Sequence, residues 1–128
     1  MSIPVAIEDL ERTLRDYGAG YLLTTAGGRV KAVTVEPRVV GGALEIDGRS
    51  GGSARNLADE PAATLLFPPT EPRGYTLLVD GYAEARDDGF RFTPATAVLH
   101  RPASHADGPP PPAGAGEGTD CGNDCHPL

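Results

Sequence analysis

The chain has 128 residues, with 11 lysines and arginines against 18 aspartates and glutamates, a formal net charge of -7 and a sequence pI near 4.8. That length suits one domain around one core, and the acidity argues against a nucleic-acid binder or a partner of anionic membrane, both of which need a basic face. No run of about 18 apolar residues occurs, and acids and arginines interrupt the first turns, so neither a membrane span nor an export signal is predicted and a cytoplasmic protein is the expectation.

Ile3, Ile7, Leu10, Leu14 and Tyr17 follow at intervals of four, three, four and three, which lays them along one stripe of a helix ended by Gly18. From Gly20 the period falls to two. Tyr21–Thr25, a turn at Ala26-Gly27-Gly28 and Arg29–Val35 predict a hairpin with Val30, Ala32 and Thr34 on one face and Lys31, Val33 and Val35 on the other. Pro37 ends that ladder. Val39-Val40, Gly41-Gly42 and Ala43–Ile46 predict a second hairpin.

Ser50-Gly51-Gly52-Ser53 then opens a short helix that Pro61 stops. Such an opening leaves backbone N–H groups free at the positive end of the helix dipole, where they can hold a phosphate. Equally, Ser50 and Ser53 can do no more than cap the helix. Ala62–Phe67 is an almost unbroken apolar run, expected to be a strand buried on both faces. Gly74–Ala85 is the longest predicted strand. Asp87-Asp88-Gly89 turns the chain into Phe90–Phe92, Thr93-Pro94 breaks it, and Thr96–Arg101 forms a last strand on which His100 can face a ligand or sit half-buried. The prediction is a mainly β fold, an antiparallel barrel of six or seven strands with an N-terminal helix and a short helix between strands.

Residues 1–102 are read as this domain and 103–128 as a proline- and glycine-rich tail. The tail ends in Cys121, Cys125 and His126, three soft ligands for zinc or copper. The spacing Cys-x-x-x-Cys-His does not match the usual Cys-x-x-Cys knuckle and has no second half-site, so no metal is assigned; a disulfide or two exposed thiols are the alternatives.

Four stretches carry a resemblance: Gly20-Tyr21-Leu22-Leu23-Thr24-Thr25, Ala54 through Asn56-Leu57 and Pro61 to Phe67, Gly81-Tyr82-Ala83-Glu84-Ala85, and Phe92 to Arg101. In order and spacing they resemble the FMN-binding split barrels of the pyridoxamine 5'-phosphate oxidase-like superfamily, over about residues 6 to 102. The resemblance implies a split β-barrel homodimer with a flavin (FMN) or deazaflavin (F420) in the groove between subunits, its phosphate near the Ser50–Asn56 turn. It further implies an oxidoreductase acting on a small organic substrate, with the hydride chemistry on the ring and no single catalytic residue demanded.

The departures bear on the same turn. Family members that hold FMN place an Arg-Lys pair where this chain has Gly52 and Ser53, and a basic residue where it has Glu36. Each charge-assisted hydrogen bond lost is worth about 1.5–3 kcal/mol, so weaker FMN binding than in the family, or none, is expected. Lys31, Arg49 and Arg55 remain as replacement cations, and the amides of Gly51, Gly52 and Ser53 as an anion nest. The expected cofactor site is therefore Lys31, Arg49, Ser50, Gly51, Gly52, Ser53, Arg55 and Asn56. Installing arginine at 52 and lysine at 53 is expected to strengthen FMN binding. The Arg- and Pro-containing segment that completes the substrate site of true pyridoxamine phosphate oxidases has no counterpart after Arg101, which disfavours that reaction. The rival readings are a cofactor-free split barrel that binds a small ligand or a protein, and a metal- or haem-handling relative that uses the Cys-His tail.

Overall fold

The computed structural model describes residues 1–48 and 50–112. Eight strands form one antiparallel sheet: β1 (Ser2–Val5), β2 (Gly20–Ala26), β3 (Arg29–Val35), β4 (Arg38–Val40), β5 (Ala43–Asp47), β6 (Ala62–Phe67), β7 (Thr76–Arg86) and β8 (Gly89–His100). Two helices, α1 (Leu10–Leu14) and α2 (Gly51–Asp59), sit between strands. The strand order is β3-β2-β6-β7-β8-β5-β4, with β1 also on β8. Its two ends, β3 and β4, are consecutive in the chain and separated only by Glu36-Pro37. The sheet must therefore curl until its ends meet at that corner, and the ladder is not continued between them: the barrel is split there.

Both short hairpins turn on glycine pairs, Gly27-Gly28 and Gly41-Gly42, with φ of 57° and 79° and of 58° and 83°. Positive φ at both central residues is the geometry whose twist matches the flanking strands, and glycine adopts it without steric cost. One face of the curled sheet lines the core. Leu22, Leu65, Leu77, Val79, Phe92 and Leu99 are all fully buried there, and Leu10 of α1 and Leu57 of α2 close the openings.

Three elements differ from the sequence reading, and the strands number eight among the described residues where six or seven were expected. Residues 2–5 are a strand rather than the first turn of a helix. Ile3 and Val5 alternate into the core and pair with Leu99 and Ala97, on the part of the β8 edge that β5 leaves uncovered; Pro4, with no N–H to donate, faces outward on this edge strand. The helical segment shrinks to a 3₁₀ turn at Ile7–Asp9 and the single turn of α1. Strand β8 runs unbroken through Thr93-Pro94. The register shifts between Asp80 and Gly81, pairing Asp80 with Thr96 and Gly81 with Pro94, so Pro94 sits at a bulge where a missing donor costs little. Finally, β6 is buried on one face only: Ala63, Leu65 and Phe67 point inward, whereas Ala62 is exposed and Thr64 and Leu66 are half-covered.

The last strand does not release the chain at residue 102. Arg101 is 5% exposed; its guanidinium stacks 4.0 Å from the Tyr75 ring centroid and donates to the carbonyls of Arg73 (3.2 Å), Pro109 (2.8 Å) and Ala106 (3.4 Å). Arg73 completes the clasp by donating to Asp107 at 2.8 Å, and this bond holds the Asp107 carboxyl below the usual carboxylate range. Residues 102–109 thus lie against the barrel. Cys121, Cys125 and His126 fall outside the described residues.

Below this clasp, the Tyr17 hydroxyl donates to the Tyr75 carbonyl at 2.9 Å, and its ring packs against Phe67. Burial, helped by the neighbouring Asp16 charge, pushes the phenol up to about 12. The neutral phenol is favoured by folding, so its stabilising contribution is complete below the ordinary tyrosine value near 10 and is lost as pH rises from there to about 12. Alkaline titration followed by tyrosinate absorbance should resolve one tyrosine ionising near pH 12, and Tyr17→Phe should remove that step.

Candidate functional site

Helix α2 starts where β5 ends, and its first turn is built from residues with little or no side chain. Ser50 is the N-cap: its backbone is extended, its Oγ accepts from the Ser53 amide at 3.2 Å and its carbonyl accepts from Ala54 at 2.9 Å. The Ser50 hydroxyl also donates to Ser53 Oγ at 3.0 Å. The amides of Gly51 and Gly52 are left without helical acceptors and carry the positive end of the helix dipole. The first turn contains no acidic residue.

Two cations flank this turn. Lys31 reaches across from β3: its Cε lies 2.8 Å, its Cδ 3.2 Å and its Nζ 3.3 Å from the point where a Cβ on Gly52 would stand. Arg55 folds back along α2 until its Nη1 is 3.5 Å from the corresponding point on Gly51. Among the described residues neither side chain has a carboxylate partner. Both are exposed. The placement of Lys31 follows from register: it pairs with Thr24 of β2, and Asn56 of α2 donates from Nδ2 to the buried Thr24 hydroxyl at 3.0 Å. Helix, strand and lysine are thereby fixed to one another at a single residue.

The structure thus brings together Lys31, Ser50, Gly51, Gly52, Ser53, Arg55 and Asn56, but with divided roles. Lys31 and Arg55 are exposed, beside Gly52 and Gly51. Ser50 and Ser53 hold each other, Ser53 is fully buried, and Asn56 is occupied by Thr24. Arg49 lies outside the described residues. Of the substitution expected to strengthen binding, an arginine at 52 would meet only the far end of the flexible Lys31 side chain, which can shift, whereas a lysine at 53 would put a charge into a fully buried position. What sequence reasoning missed was the contact of Lys31, the single lysine of the chain, with Gly52.

On the opposite face of the same hairpin lies a groove of about 490 Å³, whose walls include Leu23, Thr25, Val30, Ala62, Thr64 and Tyr82. Thr25 and Val30 face it, while their neighbours Thr24 and Lys31 face α2. Val30 and Tyr82 are 65% and 58% exposed, unusual for apolar and aromatic side chains. In register across β2, β6, β7 and β8, Tyr21, Leu66, Leu78 and Val98 form a further apolar row on the outer face. A larger cavity of about 850 Å³ opens beside the β7–β8 turn, but Glu45, Asp47, Asp87 and Asp88 line it, which is the wrong sign for a phosphate. Among the described residues no three His, Cys, Asp or Glu side chains group to hold a metal, and no helix is long and apolar enough to cross a membrane.

The fold is that of the pyridoxamine 5'-phosphate oxidase-like split barrels. It overlays a candidate pyridoxamine 5'-phosphate oxidase of Listeria innocua with a TM-score of 0.61 at 13% identity, covering 73% of this chain and 96% of that one. A FAD-binding protein of Mesorhizobium loti overlays at 0.62, again at 13% identity, covering 77% and 96%. A heme binding protein of Mycobacterium smegmatis overlays at 0.50 and 21% identity, covering 75% of this chain and 51% of that one. In sequence, the chain is 39% identical over 117 residues to an uncharacterized protein of Mycobacterium bovis and, with the same figures, to one of Mycobacterium tuberculosis, covering 78% of this chain and 82% of each relative. It belongs to the family of these two mycobacterial proteins. No family model matches it.

Proposed function

We propose that the chain is a flavin-type binding protein of the oxidoreductase kind, holding FMN or the deazaflavin F420 by its phosphate at the start of α2. The observation that carries this reading is the placement of Lys31 and Arg55, two cations without carboxylate partners among the described residues, beside Gly52 and Gly51 on the first turn of α2. Two positive side chains, two N–H donors and no acid in the first turn form the donor set a phosphate needs. The bound ring would accept or donate hydride or an electron pair to a small organic molecule. The protein's part would be to hold the phosphate through Lys31, Arg55 and the amides of Gly51 and Gly52.

Homodimerisation belongs to the same reading. The exposed Val30, Tyr82 and Tyr21 and the half-covered Leu66, Leu78 and Val98 form an apolar outer face. A second copy would cover it and complete the groove. Function in the cytoplasm is part of the proposal, as a compartment that supplies both cofactors.

Purification from a host that makes both flavins and F420 tests the reading. The expected result is a coloured protein with flavin- or deazaflavin-type visible absorbance that elutes as a dimer. A colourless protein that stays colourless after incubation with either cofactor would favour the cofactor-free alternative.

A further inference from the structure

We infer that the surface formed by Tyr17, Gly74 and Tyr75 binds polyproline II segments, that Pro109–Pro112 is the ligand the chain supplies to itself, and that a proline-rich segment of another protein takes the surface when that ligand is withdrawn. The sequence dictates the ligand's shape. Proline holds φ at about -65°, and a residue that precedes a proline is kept out of the helical region, so the unbroken proline run from 109 to 112 is a polyproline II helix. That helix has about three residues per turn and no internal hydrogen bonds. Positions three apart therefore share a face, and Pro109 and Pro112 are half-buried whereas Pro110 and Pro111 between them are exposed.

The barrel meets that face with the parts such a ligand needs. Pro109, Pro110 and Pro112 stand along a cleft of about 230 Å³ whose lining includes Tyr17, Gly74 and Tyr75, and Pro109 Cγ lies 3.8 Å from where a Cβ on Gly74 would stand. A polyproline II backbone leaves its carbonyls unpaired, so its host must supply donors. Arg101 Nη1 donates to the Pro109 carbonyl at 2.8 Å, and the arginine is itself held in place by stacking on the Tyr75 ring. Aromatic side chains along the prolines are the means by which proline-rich segments are recognised, and a ligand already stiff loses little entropy on binding. Gly108 sets the approach: a Cβ there would run into the carbonyl oxygen of Arg73, so a larger residue lifts the prolines away from the barrel. None of these residues belongs to the start of α2, and the inference stands apart from the flavin reading.

Titration of the isotope-labelled full chain with an oligoproline peptide, followed by nuclear magnetic resonance, tests this. In the wild type the tethered prolines compete at an effective concentration on the order of millimolar, so the free peptide binds weakly. Gly108→Ala lies outside the strands and helices, so the barrel is retained while the prolines are lifted off. The oligoproline Kd should fall at least about tenfold in that variant, because the competent surface is no longer mostly occupied. The shifts should centre on the amides of Tyr17, Gly74 and Tyr75, and a glycine-serine peptide of the same length should produce none. Pro109→Ala with Pro112→Ala removes the docked face and should give the same gain, whereas Pro110→Ala with Pro111→Ala should behave as wild type. No gain in oligoproline affinity in either Gly108→Ala or the Pro109/Pro112 variant reduces the contact to packing of the tail and overturns the inference. Equal gains from the two proline pairs, or an equal response to the glycine-serine peptide, overturn it as well.

Discussion

Replacing Phe92 by alanine should lower the stability of the folded chain by about 3–5 kcal/mol, read as a shift in the denaturant midpoint with little change in slope. The side chain is fully buried on the longest strand, opposite Leu44 of β5 on one side and Ala83 of β7 on the other. Its ring also touches the space over Gly81: Cε1 lies 3.0 Å from where a Cβ there would stand. Because β8 is hydrogen-bonded along both edges, the neighbours cannot collapse into the space a truncation leaves, so the cavity penalty adds to the lost transfer energy. Phe92→Leu, which keeps most of the volume, should cost less than about 1.5 kcal/mol. A loss below about 1 kcal/mol in the alanine variant would mean that the barrel interior relaxes far more than this packing implies.

Arg101→Met should cost about 2–3 kcal/mol and free the segment after the barrel. The methionine keeps the stem but removes every donor to the carbonyls of Arg73, Pro109 and Ala106, and the stacking on Tyr75. The net loss is smaller than the sum of those contacts, because the guanidinium is buried without a carboxylate partner among the described residues and its Nε has no acceptor there. Chemical denaturation gives the energy; amide exchange at residues 103–108 gives the location. Fast exchange confined to that segment is expected, whereas unchanged exchange would show that Arg73 and Asp107 hold it without Arg101.

How much of this was legible in the chain follows from which forces were local. The helix, Pro61 stop and strand from Ala54 to Phe67 read correctly because cap, period and breaker all lie within a few residues of one another. Strand β1 was hidden because Ile3 fits two periods: it continues the helical stripe through Ile7 and it alternates with Val5, and only the distant edge of β8 decides between them. Pro94 was read as a break because its tolerance depends on a bulge formed with Asp80 and Gly81 on another strand. The apolar run of β6 predicted burial on both faces, yet on the outer face Ala62 is exposed and Thr64 and Leu66 are only half-covered, which is a physical ground for proposing a second copy.

At the site the division is the same. That Ser50-Gly51-Gly52-Ser53 opens a helix was legible. That Ser53 turns inward, that Asn56 is committed to Thr24, and that Lys31 lies in the notch at Gly52 depend on the register of β2 against β3 and on how α2 seats over it. The burial of Arg101 was equally unreadable, since its partners are carbonyls of a loop and of a proline-rich segment rather than charged residues with a pattern.

The measurement closest to the central claim is a paired titration of the full chain with FMN and with riboflavin at low and moderate salt. The two ligands share the ring and differ by the phosphate. If the start of α2 holds that phosphate through Lys31, Arg55 and the glycine amides, FMN binds at least about tenfold more tightly than riboflavin, and the advantage shrinks as salt rises. Equal affinities, or binding of neither, would contradict it.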